Sequence, residues 1–219
     1  MNLSKEIASK LLQIKAIKLN PQSPFTWASG IKSPIYCDNR ISLSYPEARD
    51  AIKKGLAELS KSFGEFDMIA GVATAGIAHG ALMADYMNLP FCYVRSEAKS
   101  HGRQNQIEGD LKAGQKILVI EDLISTGGSS IQVVEVLRQE GYEVVGVLAI
   151  FDYELKKAKD NFKNAKCVYK TLSNYTALLE EAIAEDYITN DQLRILNNWN
   201  EDPNAWSETH DNKVKSTWN

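Results

Sequence analysis

The stretch ILVIEDLISTGGSS, residues 117–130, joins an apolar run, two adjacent acids and a turn rich in Gly, Ser and Thr. The four aliphatic residues 117–120 predict a strand that is buried on both faces. Glu121 and Asp122 follow directly, and two neighbouring carboxylates would cost roughly several kcal/mol if they were buried without partners. We therefore expect a polar or cationic ligand at the end of this strand.

The residues after the acidic pair have the composition of a phosphate-binding turn. Gly127 and Gly128 allow positive φ, so that several backbone N–H groups converge, and the hydroxyls of Ser125, Thr126 and Ser129 add donors. The segment matches neither a Walker loop nor a dinucleotide fingerprint. A phosphate in the turn and ribose hydroxyls on the two acids together indicate a phosphorylated ribose. The alternative is an ordinary Gly-Ser turn beside solvated acids. It does not explain why two glycines, several hydroxyl residues and an acidic pair occur together.

Strand and helix patterns alternate along the rest of the chain. Apolar runs predict strands at 67–73, 91–95, 116–122, 143–153 and 166–172, and helical patterns lie between and after them. This alternation predicts an α/β fold, with a central, mainly parallel sheet flanked by helices.

Three segments follow from this pattern. Residues 1–66 do not alternate and are expected to form N-terminal helices and a small cap over a base site. Residues 67–196 form the expected α/β core. Residues 197–219 are polar and read as a loosely packed C-terminal tail.

Composition restricts the class of protein. The chain has 219 residues and a formal net charge of −3, which argues against a general nucleic-acid binder. Its three cysteines are too few for a disulfide framework and indicate reduced thiols in a cytoplasmic protein. No apolar run approaches the ~20 residues of a membrane span, and the N-terminus lacks the pattern of a signal peptide.

Three predicted strands end in unusual sequences. Besides residues 117–130, these are GVATAGIA at 71–78 and YVRSEAKSHGRQ at 93–104. The carboxyl ends of parallel strands meet at one edge of a sheet, where ligands bind. We therefore expect the three segments to form one site.

The motifs resemble those of one family. VIEDLISTGGSS (119–130) resembles the phosphoribosyl pyrophosphate (PRPP) motif of the type I phosphoribosyltransferases. YVRSEAKSHGRQNQIEG (93–109) resembles the mobile catalytic loop of orotate phosphoribosyltransferases, and PFTWASGIKSPIYCDNR (24–40) resembles their orotate-side segment. The similarity runs from about residue 5 to about residue 196. It implies a type I phosphoribosyltransferase fold and the transfer of a phosphoribosyl group from PRPP to orotate. The products would be orotidine 5′-monophosphate and pyrophosphate, in pyrimidine (UMP) biosynthesis.

The resemblance also implies roles for residues that bind PRPP. Arg95, Lys99 and His101 would be catalytic, would contact the pyrophosphate, and would serve the active site of the neighbouring subunit, which implies a homodimer with shared sites. Glu121 and Asp122 would hold the ribose hydroxyls. The remaining PRPP-binding positions would be Leu123, Ile124, Ser125, Thr126, Gly127, Gly128 and Ser129. Mg²⁺ is expected to arrive with the pyrophosphate and water, without a dedicated protein metal site.

On the orotate side, the resemblance implies contacts from Ser125, Ser33, Pro34 and Tyr36. Some family members carry a Lys where this chain has Ala28, so Lys32 and Arg40 are the local cations to consider for the orotate carboxylate. Trp27 is open to two interpretations, stacking on a base or packing in a core. His79 is expected to be a packed histidine rather than a ligand.

Two alternative functions remain at this stage. A purine phosphoribosyltransferase would share the PRPP turn, but residues 24–40 and the Arg-Lys-His loop favour orotate. A non-catalytic PRPP-sensing regulator that binds nucleic acid should contain a basic helical module. The net charge of −3 and the Lys/His loop favour an enzyme.

Overall fold

A computed structural model of the chain describes residues 2–27, 29–96 and 106–216. The helices are α1 (Leu3–Gln13), α2 (Pro46–Ser60), α3 (Ala75–Met87), α4 (Gly128–Gln139), α5 (Lys156–Asn164), α6 (Tyr175–Ala184), α7 (Asn190–Glu201) and α8 (Pro203–Ser216). The strands are β1 (Ile17–Leu19), β2 (Phe25–Thr26), β3 (Lys32–Ser33), β4 (Ile35–Cys37), β5 (Met68–Val72), β6 (Phe91–Val94), β7 (Ile107–Glu108), β8 (Lys116–Ile124), β9 (Glu143–Asp152) and β10 (Tyr169–Asn174). Within the described ranges, no helix combines the length and apolar character needed to cross a membrane.

The central sheet has the order β10-β9-β8-β5-β6-β7. Neighbouring strands are parallel except β7, which runs antiparallel to β6. The predicted α/β fold with a mainly parallel sheet flanked by helices is therefore confirmed. The chain moves outward from β5 to β6 and then crosses to β8 on the other side of β5. This reversal opens a crevice between the carboxyl ends of β5 and β8, where ligands bind in open α/β sheets.

Strand β8 is buried on both faces, as its sequence predicts. Ile117 and Val119 pack in a cluster with α4 and α5, whereas Leu118 and Ile120 pack in a second cluster with α1, α2 and α6. Successive side chains of a strand point to opposite faces, so one apolar run supplies both clusters. The strand continues to Ile124, two residues beyond the predicted range of 116–122, so the acidic pair is followed by two more strand residues.

The N-terminal segment contributes both to the core and to the site. Ile7, Leu11 and Leu12 of α1 belong to the same buried cluster as Leu118 and Ile120. Two short antiparallel pairs, β1 with β4 and β2 with β3, then carry residues 17–37 toward the carboxyl edge of the sheet. The helices thus cover one face of the sheet, and the hairpins are left to shape the site.

The expectation of a loosely packed C-terminal tail is wrong for its described part. Residues 197–216 continue α7 and form α8. Trp199 has no exposed surface, and its ring packs edge-on against Tyr153 with centroids 5.7 Å apart. The segment is polar overall, but one narrow face of its helices is apolar. That face packs against the aromatic residues around Trp199, and this packing stabilises the helices.

Candidate active site

The two acids at the end of β8 have different surroundings. Glu121 is only 4% exposed, and its carboxylate accepts hydrogen bonds from Ser129 Oγ (3.0 Å) and Ser130 Oγ (3.1 Å) in the first turn of α4. It also accepts one from the backbone N–H of Asp122 (3.0 Å). Burial, together with the negative charge of Asp122, raises the pKa of Glu121 to about 8. Glu121 therefore holds the first turn of α4, and Asp122 is the more exposed of the two acids.

A buried polar network holds the backbone of Asp122 in place. The side-chain amide of Asn39 is fully buried and donates to the carbonyl oxygen of Asp122 (2.7 Å). His79 hydrogen-bonds the backbone of Asn39, and burial lowers the pKa of its imidazole to about 4. His79 is thus a neutral packed histidine, as expected from the sequence, and it helps to fix the strand end through Asn39.

The Gly-rich turn is held in place by α5. Gly127 has φ +76°, and a Cβ at this position would lie 2.6 Å from Phe162 Cε2. The side-chain amide of Asn161 donates to the carbonyl of Thr126 (2.9 Å). Helix α4 starts at Gly128 without a side-chain cap from Gly127, so its N-terminal N–H groups and partial positive charge face the turn. These properties suit a phosphate group.

The end of β5 comes close to the acidic pair. A Cβ on Gly76, at the start of α3, would lie 2.4 Å from the carbonyl oxygen of Ile120, directly before Glu121. Only a residue without a side chain permits this approach. The peptide bond between Ala73 and Thr74 is cis. The predicted meeting of 71–78 with the acidic strand end is therefore present in the structure.

The third strand end is described only at its stem. The backbone N–H of Arg95 donates to the carbonyl of Gln106 (2.9 Å), and its guanidinium lies 3.8 Å from Glu108. The carbonyl of Ser96 accepts from the side-chain amides of Gln132 (3.0 Å) and Gln106 (3.2 Å). Both ends of the segment are thus tied to the sheet and to α4. Lys99 and His101 lie outside the described residues.

A cavity of about 350 Å³ lies beside the turn. Its lining residues are Thr26, Trp27, Tyr36, Cys37, Leu123, Ser125 and Tyr153. The Trp27 ring stacks on Tyr153, with centroids 5.5 Å apart and planes inclined by 19°. Ser125 belongs both to the Gly-rich turn and to the cavity, so the turn and a cavity with aromatic walls share one residue. Trp27 therefore packs on the core and also forms a wall of the cavity, while its stacking on a base stays a prediction.

Of the residues predicted to contact the base, some line the cavity and others are buried away from it. Ser125 and Tyr36 line the cavity. The hydroxyl of Ser33 is fully buried and donates to the carbonyl of Ile35 (2.9 Å), and Pro34 is buried in the same turn. Direct contact between Ser33 and a base stays a prediction that would require this turn to open.

The donor set does not form a metal cage. Among the residues that the structure describes, no group of three His, Cys, Asp or Glu side chains is arranged to hold a metal ion. Asp122 offers hard carboxylate oxygens at the crevice, and Mg²⁺ binds such oxygens together with phosphate and water. These residues fit a magnesium ion that is held mainly by a phosphorylated ligand.

Comparison with known proteins agrees with this geometry. A family model described as the phosphoribosyl transferase domain matches residues 43–185. An orotate phosphoribosyltransferase of Cytophaga hutchinsonii is 53% identical to this chain over 209 residues, covering 95% of this chain and 100% of that protein. This chain belongs to the orotate phosphoribosyltransferase family.

Solved structures show that members of the orotate phosphoribosyltransferase family share the fold. The orotate phosphoribosyltransferase of Aeropyrum pernix has a TM-score of 0.72 and 28% identity, covering 81% of this chain and 98% of that chain. The UMP synthase of Leishmania donovani has a TM-score of 0.77 and 29% identity, and the match covers 90% of this chain but 42% of that chain.

The match to the transferase domain also divides the site. The turn, the acids and Tyr153 lie within residues 43–185, whereas the hairpins of 17–37 and helices α7 and α8 lie outside. The sequence did not reveal that α7 contacts the transferase domain or that α8 contacts the β2–β3 hairpin. The side-chain amide of Asn200 donates to the carbonyl of Tyr153 (2.6 Å), and Ser207 Oγ accepts from the backbone N–H of Lys32 (2.9 Å). A capping box formed by Thr189 and Gln192 was the available signal for α7.

Proposed function

We propose that the protein is a glycosyltransferase that moves the phosphoribosyl group of PRPP to orotate, with Mg²⁺, giving orotidine 5′-monophosphate and pyrophosphate in pyrimidine (UMP) biosynthesis. The observation that carries this proposal is the sharing of Ser125 between the phosphate-binding turn and the aromatic-walled cavity. A base in the cavity would lie next to a sugar whose phosphate occupies the turn. The 53% identity to an orotate phosphoribosyltransferase supports orotate as that base.

The two acids take different roles in this proposal. The 5′-phosphate lies in the turn of residues 125–129, at the N-terminus of α4, flanked by Leu123 and Ile124. Asp122 accepts hydrogen bonds from the ribose hydroxyls. Glu121 acts through Ser129 and Ser130, whose hydroxyls it already binds, and so keeps the turn in shape. This assignment narrows the sequence expectation that both acids touch the ribose.

The cavity suits a planar heterocycle. Trp27 and Tyr36 present aromatic surface to it, and Ser125 offers a hydroxyl near the ribose. Flat rings gain from stacking on aromatic side chains, and polar edges need nearby donors. Orotate in this cavity would place its reacting nitrogen toward the ribose held by Asp122.

Charge development sets the chemistry. Cleavage of the bond between C1′ and pyrophosphate leaves an oxocarbenium-like sugar and adds negative charge to the leaving group. Arg95, Lys99 and His101 stabilise that charge more strongly than they stabilise the bound substrate, which lowers the barrier. His101 or Lys99 donates a proton to the departing pyrophosphate. Orotate N1 forms the new bond to C1′ as the bond to pyrophosphate breaks, and the proton that N1 gives up balances the one that the departing pyrophosphate takes from His101 or Lys99.

Mg²⁺ and a second subunit complete the proposal. Bound to diphosphate oxygens, Mg²⁺ would neutralise charge on the leaving group. The loop that carries Lys99 and His101 serves the site of the neighbouring subunit, so the working unit is a homodimer. Three cysteines without disulfides suit a reducing compartment, which supports a cytoplasmic location for an enzyme that acts on small molecules rather than nucleic acid.

The decisive experiment measures orotate consumption. Purified protein is mixed with PRPP, Mg²⁺ and orotate, and the loss of orotate absorbance and the formation of orotidine 5′-monophosphate are followed. We expect turnover by the wild type and a loss of about 100-fold or more in Lys99→Ala, since general acid–base and charge-stabilising groups contribute on this order. Lys61→Ala, which removes an exposed lysine paired with Glu58, is the matched control and should retain activity.

Parallel reactions with adenine, guanine and hypoxanthine test the competing assignment. Consumption of a purine base without consumption of orotate would replace the proposal by a purine phosphoribosyltransferase. Tight PRPP binding without turnover of any base would instead favour the regulator.

A further inference from the structure

Among the residues that the structure describes, no positively charged side chain lines the cavity beside Thr26, Tyr36 and Ser125, here called the base cavity. The side chains that line it are aromatic, aliphatic, thiol or hydroxyl groups, and none of these seven residues is Lys, Arg or His. Orotate differs from uracil by a carboxylate, which is strongly solvated in water and costly to move into such surroundings without a partner. A cation at the rim is therefore needed to recognise it.

Arg40 is already engaged. Its guanidinium forms two hydrogen bonds with Asp38, from Nε to Oδ1 (2.7 Å) and from Nη2 to Oδ2 (2.9 Å). This fork arrangement uses the face with which arginine binds a carboxylate. Asp38 therefore already neutralises the Arg40 guanidinium and restrains its orientation, which makes Arg40 a weaker candidate than a lysine without a carboxylate partner.

Lys32 is placed to reach the cavity. It is the cross-strand partner of Thr26 in the β2–β3 hairpin, so the two side chains share one face of that hairpin. The ammonium of Lys32 donates to Thr26 Oγ1 (2.8 Å), and Thr26 lines the cavity. An ammonium has three donors, so this bond leaves others for a ligand.

The backbone of Lys32 is fixed by the C-terminal helix. Its N–H donates to Ser207 Oγ (2.9 Å), and Ser207 is 7% exposed. The side chain thus extends from a held backbone toward a neutral hydroxyl, without a carboxylate partner at that contact. Little free energy is therefore needed to reorient the Lys32 ammonium toward a bound anion.

We propose that Lys32 is the specificity-determining cation of the base site and that it donates to the carboxylate of orotate, while Thr26 holds its ammonium at the rim of the cavity. This inference rests on the proposed function and names the residue that distinguishes a carboxylated pyrimidine from an uncharged one. Ser207 acts as a positioning residue through the backbone of Lys32.

The test compares orotate with uracil, which lacks the carboxylate. In Lys32→Gln we expect the KM for orotate to rise about 10-fold to 100-fold, the range for a lost charge-assisted hydrogen bond. The KM for PRPP and the inhibition constant of uracil against orotate should stay within about 2-fold of wild type, because neither involves the carboxylate. Lys32→Arg keeps the charge and should recover part of the loss, and Lys61→Gln controls for removal of a surface lysine.

Other results would overturn the inference. An equal weakening of orotate and uracil in Lys32→Gln would indicate a general change in the hairpin. A neutral Lys32→Gln, with the loss appearing in Arg40→Gln or in Lys18→Gln, whose residue lies opposite Tyr36 in the β1–β4 pair, would assign the carboxylate to another cation. Absence of orotate turnover in the wild type would remove the proposed function itself, which is a separate outcome.

Discussion

Glu121 shows how a residue of the acidic pair can stabilise the fold of its own turn. Its carboxyl group is buried, it accepts from two serine hydroxyls of α4, and its pKa is raised to about 8 by burial and by Asp122. In the sequence the two acids look equivalent. Adjacent residues of a strand point to opposite faces of the sheet, and only the tertiary structure decides that α4 covers the face of Glu121 while residues near Asp38 and Arg40 lie by Asp122.

The raised pKa predicts a pH-dependent stability. The folded protein retains on Glu121 a proton that the unfolded chain releases near its usual pKa of 4.5. Between that value and about pH 8 the native state binds more protons, so the free energy of unfolding falls as pH rises. This contribution is fully present below the unfolded pKa and is lost through the folded pKa.

Replacing Glu121 by Gln should therefore flatten the pH profile. Urea unfolding at about pH 5 and about pH 8 should show the wild type losing on the order of 2 kcal/mol more than Glu121→Gln over this range. Glu58→Gln makes the same change at an exposed acid and should follow the wild type. Parallel profiles of wild type and Glu121→Gln would refute the assignment.

Adding a single methyl group at Gly127 tests whether the shape of the turn matters. It has φ +76°, and the added methyl of Gly127→Ala would lie 2.6 Å from Phe162. We expect a loss of about 2 to 4 kcal/mol in the free energy of unfolding, from backbone strain plus overpacking, and a higher KM for PRPP.

Gly141→Ala is the matched control for this substitution. Gly141 has φ +86°, but nothing lies within 4 Å of the methyl that alanine would add there, so this variant suffers only the backbone strain. The difference between the two variants measures the contact with Phe162, and Phe162→Leu in the Gly127→Ala background should recover part of it. Equal losses at both glycines, with an unchanged KM for PRPP, would contradict a role for this contact.

At the scale of elements, α8 supports the hairpin that carries Trp27 and Lys32. Removing the hydroxyl in Ser207→Ala leaves the N–H of Lys32 without its partner, at a cost of about 1 kcal/mol. We expect the KM for orotate to rise about 2-fold to 10-fold and the KM for PRPP to stay unchanged. Steady-state kinetics with each substrate varied would measure both values.

Thr209→Ala is the control for Ser207→Ala on the same helix. The hydroxyl of Thr209 is exposed and donates to the carbonyl of Trp206 within α8. This substitution should leave both KM values unchanged. An equal effect of the two substitutions, or an effect of Ser207→Ala on PRPP alone, would show that the contact with the hairpin does not matter.

The elements differ in how well their sequences predicted them. The strands of the core were predictable because continuous apolar runs bounded by turn residues have few other structures available. Helices α7 and α8 were missed beyond residue 197, because Trp199 is buried against Trp27, Tyr153 and Tyr175, which are distant in sequence. The Gly-rich turn before α4 was predictable from local sequence, whereas the cavity was not, since its walls come from residues 26–37, 123–125 and 153.

At the scale of the whole molecule, the proposed shared active site predicts complementation. Dimers of Lys99→Ala lack the loop lysine, and dimers of Asp122→Asn lack the ribose acid, so each should be nearly inactive. In an equal mixture that exchanges subunits, half of the dimers are hybrids with one intact site each. Activity should then return to about a quarter of the wild-type value in a closed symmetric dimer.

A second mixture controls for this recovery. Lys99→Ala mixed with His101→Ala places one damaged loop in every site and should stay inactive. If the loop instead served its own subunit, the Lys99→Ala and Asp122→Asn mixture would also stay inactive, and the shared site would be refuted.

The contact between Ser207 and Lys32 joins two chain segments that are separated by 175 positions and that both lie outside the common transferase domain. The proposed role of Lys32 therefore makes the choice of base depend on both ends of the chain. A chimera that imports only residues 17–37 from a relative would place a foreign hairpin against an unmatched α8. We expect grafts intended to change base preference to succeed when residues 17–37 and α8 are exchanged together and the phosphoribosyl half of the site is left unchanged.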